Sequence, residues 1–198
     1  TGLAISPELG IDSVKEFVAY AKKHAGKINH SSPGVGTQPH LAAELFRMKA
    51  GFESTHAPYR SGPATLNAVV QGEVQWTFDA PLTALPAHQN GKVRVLAVSS
   101  AERWPAQPDI PTMAEVGYPD ATTYAWFALA APGGTPKPII DRLNAEVTRG
   151  LRSEAIRTRI VSLGMEPAPM TPAETSKWIA DERVRWTPVI KANNIRAE

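Results

Sequence analysis

Cysteine is absent from the 198-residue sequence, which excludes disulfides and thiolate metal sites. No apolar run reaches the roughly 18 residues that a membrane-crossing helix needs, so no helical span is expected. Residues 1–6, Thr-Gly-Leu-Ala-Ile-Ser, lack a basic start and a long apolar stretch, so they are not expected to be a secretory signal. Charge of one sign is also scarce. Lys and Arg number 21 against 19 Asp and Glu, a formal +2. Nucleic-acid binders concentrate basic charge on one face, so no nucleic-acid partner is expected. Two nucleotide signatures are missing as well. Pro39 stands where a dinucleotide loop needs its third glycine, and no Gly-Lys-Ser/Thr ending marks a phosphate-cradling loop. What is present is a hydrophobic share of 42%, enough for a packed core. The length suits one good-sized domain or two lobes.

Helix and strand patterns alternate over the first two thirds. Ser13-x-x-Glu16 is a capping box for a helix carrying Val14, Phe17, Val18 and Ala21, with Gly26 as its stop. Lys27–His30 reads as a short strand, followed by the polar loop Ser31–Thr37. The next helix carries Leu41, Leu45 and Met48 and stops at Gly51. His56–Tyr59 reads as a strand, with Ser61 as N-cap and Pro63 in the first turn of the helix after it. Val74, Trp76 and Phe78 alternate with polar residues as a strand does, Asp79-Ala80-Pro81 opens a short helix, and Val93–Val98 is an apolar strand. Such βαβ alternation predicts an α/β fold with a parallel sheet. Right-handed crossovers then place the loops Ser31–Thr37, Arg60–Pro63 and Asp79–Pro81 at one sheet edge. Pro105–Pro119 is a proline-punctuated connector, and Tyr124–Ala131 reads as an apolar strand. The rest is almost all helix and includes a second capping box, Thr171-Pro172-Ala173-Glu174.

These loops are the candidate site. In the first, Ser31, Ser32 and Thr37 offer hydroxyls and Gly34 and Gly36 offer backbone N–H groups. The helix N-terminus behind them favours an anion; the plainer reading is a Gly/Ser turn. Arg60 could fork onto a carboxylate or simply be solvated. Asp79 could accept from a ligand or cap the following helix. His40 and Glu44 share a helix face, a spacing that a metal can use, but no third ligand is signalled and a weak surface contact fits it better. His24, His30, His56 and His88 are scattered without ligand spacing. A hydrolase or lyase using Ser31 or Asp79 is conceivable, although no G-x-S-x-G elbow supports it. The sequence therefore predicts no catalytic residue, no metal and no cofactor. A sensing scaffold is the remaining alternative.

Taken in order, several stretches resemble the Bug family, the extracytoplasmic solute receptors of tripartite tricarboxylate transporters. They are Ile28–Thr37, His40–Phe46, Ala57–Ala64, Gly72–Asp79, Gly91–Val98, Pro108–Glu115 and Ala131–Pro136. The resemblance implies a type II-like periplasmic-binding-protein fold, with a parallel-sheet lobe and the helical remainder of a second lobe. Residues 1–10 would be a crossing strand and hinge, 11–120 the ligand-binding α/β lobe, and 121–198 a return strand with the helical part of the other lobe. It implies a small carboxylate solute held by Ser31, Ser32, Gly34, Gly36, Thr37, Tyr59, Arg60, Ser61, Ala64, Phe78 and Asp79. The implied partners are the anionic solute and membrane permease subunits, and the implied location is the periplasm. The first part of the family's lobe one has no counterpart in these residues. Uncovered edges and apolar faces would then favour self-association.

Overall fold

The computed structural model describes residues 1–196. Five strands form one sheet: β1 (Gly2–Ile5), β2 (Asn29–Ser32), β3 (Thr55–Pro58), β4 (Trp76–Asp79) and β5 (Arg94–Val98), in the order β3-β2-β4-β1-β5. β2 pairs in parallel with β3 and β4. β1 runs antiparallel to both of its neighbours, β4 and β5, so it alone is reversed. Helices α1 (Val14–Lys23), α2 (Gln38–Ala50), α3 (Gly62–Val70) and α4 (Pro81–Gln89) connect the strands.

The period-2 pleat sorts side chains onto two faces. Leu3, Ile5, Trp76 and Phe78 join Phe17 and Phe46 in one apolar layer. Ala4, Val95 and Val98 join Leu66 and Val69 in the other. The sheet is thus covered on both sides, with α1 and α2 on one face and α3 and α4 on the other. This is the α/β lobe that the alternation predicts.

Caps place the helix ends. The Ser13 hydroxyl accepts from the Glu16 amide (3.2 Å), and the Glu16 carboxylate accepts from the Asp12 amide (3.0 Å). Ser13→Ala is expected to lower stability by about 1 kcal/mol, read as a smaller urea midpoint; an unchanged midpoint would show that the cap contributes nothing. Gly51 ends α2 in the left-handed region, with φ 68° and its amide on the Arg47 carbonyl.

The chain divides into two compact units, Thr1–Ala125 with Val189 onward, and Trp126–Pro188. The second unit holds α5 (Lys137–Arg152), α6 (Glu154–Ser162) and most of α7 (Pro172–Ala192). The reciprocal capping box Thr171–Glu174 is present: the Glu174 amide donates to the Thr171 hydroxyl, and the Thr171 amide to the Glu174 carboxylate. Trp126 and Trp186 both donate their indole N–H to Glu182.

One strand expectation fails. Tyr124–Ala131 forms no strand. Its apolar pattern suits a strand, but an extended segment needs a ladder partner, and none pairs with it among the described residues. Phe127 and Leu129 are instead 86% and 81% exposed.

Candidate functional site

The C-terminal ends of β3, β2 and β4 lie side by side, with Ser32 opposite Pro58 and Ser31 opposite Thr77. The loops leaving them therefore share one sheet edge, and α2, α3 and α4 all start there. This edge carries partial positive charge from the helix ends.

The residues expected at the edge do not all reach it. β2 runs to Ser32, two residues beyond its expected end, because it has ladder partners on both sides. Ser31 and Ser32 are consequently strand residues and face opposite ways. The Ser31 hydroxyl, fully buried, donates to the Thr65 carbonyl of α3 (3.1 Å). It is committed to the interior, which removes it as a nucleophile. Phe78 is also turned inward, with its ring edge-on to Phe46 in the core. Asp79 does not cap α4, whose N-cap is Ala80. Its carboxylate accepts the Thr83 hydroxyl (2.5 Å), and burial raises its pKa. Tyr59 is half-buried, and its hydroxyl donates to Glu73. Ser61 caps α3 by accepting from the Ala64 amide (3.4 Å). Arg60 is exposed, and among the described residues no acidic side chain pairs with it.

Within the turn, the donors expected for a ligand are partly engaged. The Gly34 amide donates to the Ser32 hydroxyl (3.3 Å), and the Gly36 amide to His40 Nδ1 (3.0 Å). The Thr37 hydroxyl donates to the Gly34 carbonyl (2.8 Å). Among the described residues, the amides of Val35, Gln38 and His40 have no protein acceptor. These backbone groups are the donors left for a solute, and no side-chain identity advertises them.

Of the histidines expected to be scattered, His30 and His56 are not, and the His40–Glu44 pair is not a surface contact. His30 of β2 lies opposite His56 of β3, and α2 brings His40 and Glu44 over the same face. His30, His40 and Glu44 are all buried, at 0%, 4% and 3% exposure. The His40 and His56 rings stack at 3.7 Å and 13°, and His30 lies 5.1 Å from His56. Glu44 Oε1 is 3.4 Å from His30 Nε2 and 4.0 Å from His40 Nε2. Its other oxygen accepts from Arg47 Nε (2.8 Å). The sequence signal was a histidine at the second position of two adjacent strands, readable only once their register is known.

Burial lowers the pKa of His30 and His40, and it drives His56 down to about 3 with help from the neighbouring imidazoles. Burial alone would raise Glu44, but His30 and Arg47 outweigh it and hold the carboxyl at about 2. The cluster is therefore three neutral imidazoles beside an anion already paired with Arg47.

Three imidazoles with ligand atoms within 4.8 Å of one another suggest a metal centre. Their orientation argues against one. A metal lies close to the plane of each imidazole that binds it, and two planes only 13° apart and 3.7 Å separated share no such point. Ser32 Oγ at 2.7 Å from His56 Nε2 resembles a nucleophile–base pair. Ser32, however, is fully buried, and its proton goes to the Gly34 carbonyl (2.9 Å). The hydroxyl is a tie within the turn.

The same chain matches, over residues 1–195, the family described as Tripartite tricarboxylate transporter family receptor. Protein BugT of Bordetella pertussis is 35% identical over 190 residues, covering 96% of this chain and 58% of BugT. Among solved structures, an R. palustris protein with adipate is 32% identical with a TM-score of 0.87, covering 98% of this chain and 65% of that one. MatC from Rhodopseudomonas palustris, with bound malate, is 32% identical with a TM-score of 0.85, at 96% and 65% coverage. The chain thus spans about three fifths of the length of these relatives. Its strand order, its covered sheet and this match agree: the chain belongs to the tripartite tricarboxylate transporter receptor family.

Proposed function

We propose that this chain supplies the anion-facing lobe of an extracytoplasmic receptor that captures a small carboxylate solute, does no chemistry on it, and offers it to the membrane permease of a tripartite transporter. The observation that carries the reading is the shared origin of α2, α3 and α4 at one sheet edge, around the Ser32–Thr37 turn, Arg60, Ser61, Ala64 and Asp79. Helix N-termini and free amides favour carboxylates there. Relatives solved with adipate and with malate support the same solute class. Against hydrolysis stand the committed hydroxyls of Ser31 and Ser32.

Thermal-shift and calorimetric titrations with malate and adipate test this. Saturable stabilisation is expected, about 2.7 kcal/mol at a hundredfold excess over Kd, with the solute recovered unchanged. Arg60→Gln is expected to weaken binding by about tenfold or more, the loss of one charge-assisted contact. Turnover of either acid, or no stabilisation by any di- or tricarboxylate, would overturn the proposal.

A further inference from the structure

We propose that His40, stacked on His56, is a positioning residue which holds the Ser32–Thr37 turn in its ligand-ready shape only while the His40 ring is uncharged, so that acid releases the turn and weakens capture. This inference rests on the carboxylate reading of the site above.

The turn needs holding. Gly34 and Gly36 sit at φ 147° and 75°, conformations open to glycine among many others, so the backbone alone does not fix the turn in this one shape. Two histidines provide that support, each through a bond that fixes its tautomer. The Gly36 amide donates to His40 Nδ1, so that nitrogen must carry a lone pair and the proton sits on Nε2. An imidazolium has no acceptor, so protonating His40 breaks this bond. Ser32 gives its only proton to the Gly34 carbonyl and accepts from the Gly34 amide. His56 Nε2 must therefore donate to Ser32 Oγ, leaving His56 Nδ1 as its site of protonation. The two rings stack at 3.7 Å, so a charge on one opposes a charge on the other.

The surrounding groups keep the pair neutral. From β2, His30 faces both rings, at 5.1 Å from His56 and 6.2 Å from His40. The Ser54 hydroxyl of the α2–β3 loop accepts the Trp76 indole N–H of β4 and meets His30 Nδ1 at 3.0 Å, so its own proton is free for that nitrogen. His30 Nε2 then carries the proton, 3.4 Å from Glu44 Oε1. From α2 itself come Glu44, which favours a charged ring, and Arg47, which pairs with Glu44 and opposes that effect. Burial lowers His40, Glu44 opposes it, and His30 and Arg47 add to it, whereas His56 is driven down to about 3, so His40 is the ring whose bond to the turn is tested.

Nitrogen-15 spectra of the whole chain without solute test the latch directly, from about pH 8 to pH 4. The expected result is a His40 ring protonated on Nε2 at neutral pH, with the Gly36 amide resonance moving as that ring titrates. A His40 ring protonated on Nδ1, or a Gly36 amide indifferent to the titration, would overturn the proposal. Malate affinity then links the latch to capture. His40→Leu, which has no acceptor, is expected to lose about tenfold at neutral pH. His40→Asn places an oxygen where Nδ1 was and cannot titrate. It is expected to recover most of that loss and to bind equally well at about pH 7.5 and pH 5, where the native chain weakens. An Asn variant that keeps the native pH profile would sink the idea. Should malate and adipate bind no variant, the solute reading fails while the ring and Gly36 signals still decide the latch.

Discussion

Replacing Trp76 by alanine is expected to lower stability by about 3–5 kcal/mol, the largest single effect in the chain. The indole is completely buried at the centre of the sheet, in β4 between β2 and β1. It meets Phe17 and Phe52 edge-on at 5.7 Å each, Phe46 at 6.0 Å and Phe78 at 6.2 Å, and it leans on His30 at 4.9 Å. Alanine would leave a cavity among five rings that belong to two strands, two helices and a loop, and these cannot close on it together. It would also take the indole donor from Ser54 (3.0 Å), the residue that anchors His30. Against a typical total of about 5–15 kcal/mol, such a loss unfolds a large fraction of molecules at modest urea concentrations. Trp76→Phe separates the two contributions. It keeps an aromatic filler and removes the N–H, so a cost of roughly 1–2 kcal/mol is expected. A urea midpoint for Trp76→Ala within about 1 kcal/mol of the native value would show that the aromatic layer is not the core of the lobe.

The alternation of Trp76 and Phe78 made that core legible in the sequence, and the Ser13 and Thr171 capping boxes made two helix starts legible. These signals are local: a period of two, or a hydroxyl three residues before a glutamate. The errors all concern information that lies between elements. Ser31 and Ser32 are adjacent in sequence, and only the pleat sends one towards α3 and the other towards α2. The apolar run 124–131 has the composition of a strand, but a strand is completed by a neighbour that composition does not report. The reversal of β1 likewise depends on which strands flank it. The histidine cluster is the sharpest case. His30, His40 and His56 have no recognisable spacing, because what unites them is the register of β2 against β3 and the packing of α2 above both. That the three loops share one edge was legible from topology, since parallel βαβ units put their loops together. Which amides in the turn remain free was not, because Gly34 and Gly36 are answered by Ser32 and His40, one of them outside the loop.

Stability is expected to fall steeply in mild acid, the second large effect. His30, His40 and His56 all have folded pKa values below the ordinary 6.5, first because of burial. Above pH 6.5 both folded and unfolded chains keep these rings neutral, and the rings contribute no slope. Below it the unfolded chain takes up protons that the folded chain refuses, so acid favours unfolding. The loss continues until the folded rings themselves titrate, for His56 at about 3. Within that window each ring kept neutral contributes a slope approaching 1.4 kcal/mol per pH unit. Glu44 acts in the same direction at lower pH: held at about 2, it loses its contribution as the pH falls from 4.5. Asp79 works the other way, because its raised pKa makes the folded chain bind its proton more readily, so acid relieves a cost there. One carboxyl does not offset three imidazoles, and the net trend is downward. Urea midpoints measured from pH 7.5 to pH 4.5 would show it, and His56→Gln should flatten the curve by about one histidine's share. A midpoint that stays level from pH 7 to pH 5 would mean that the folded cluster accepts protons as readily as the unfolded chain, and that the neutral stack beneath the turn does not exist in solution.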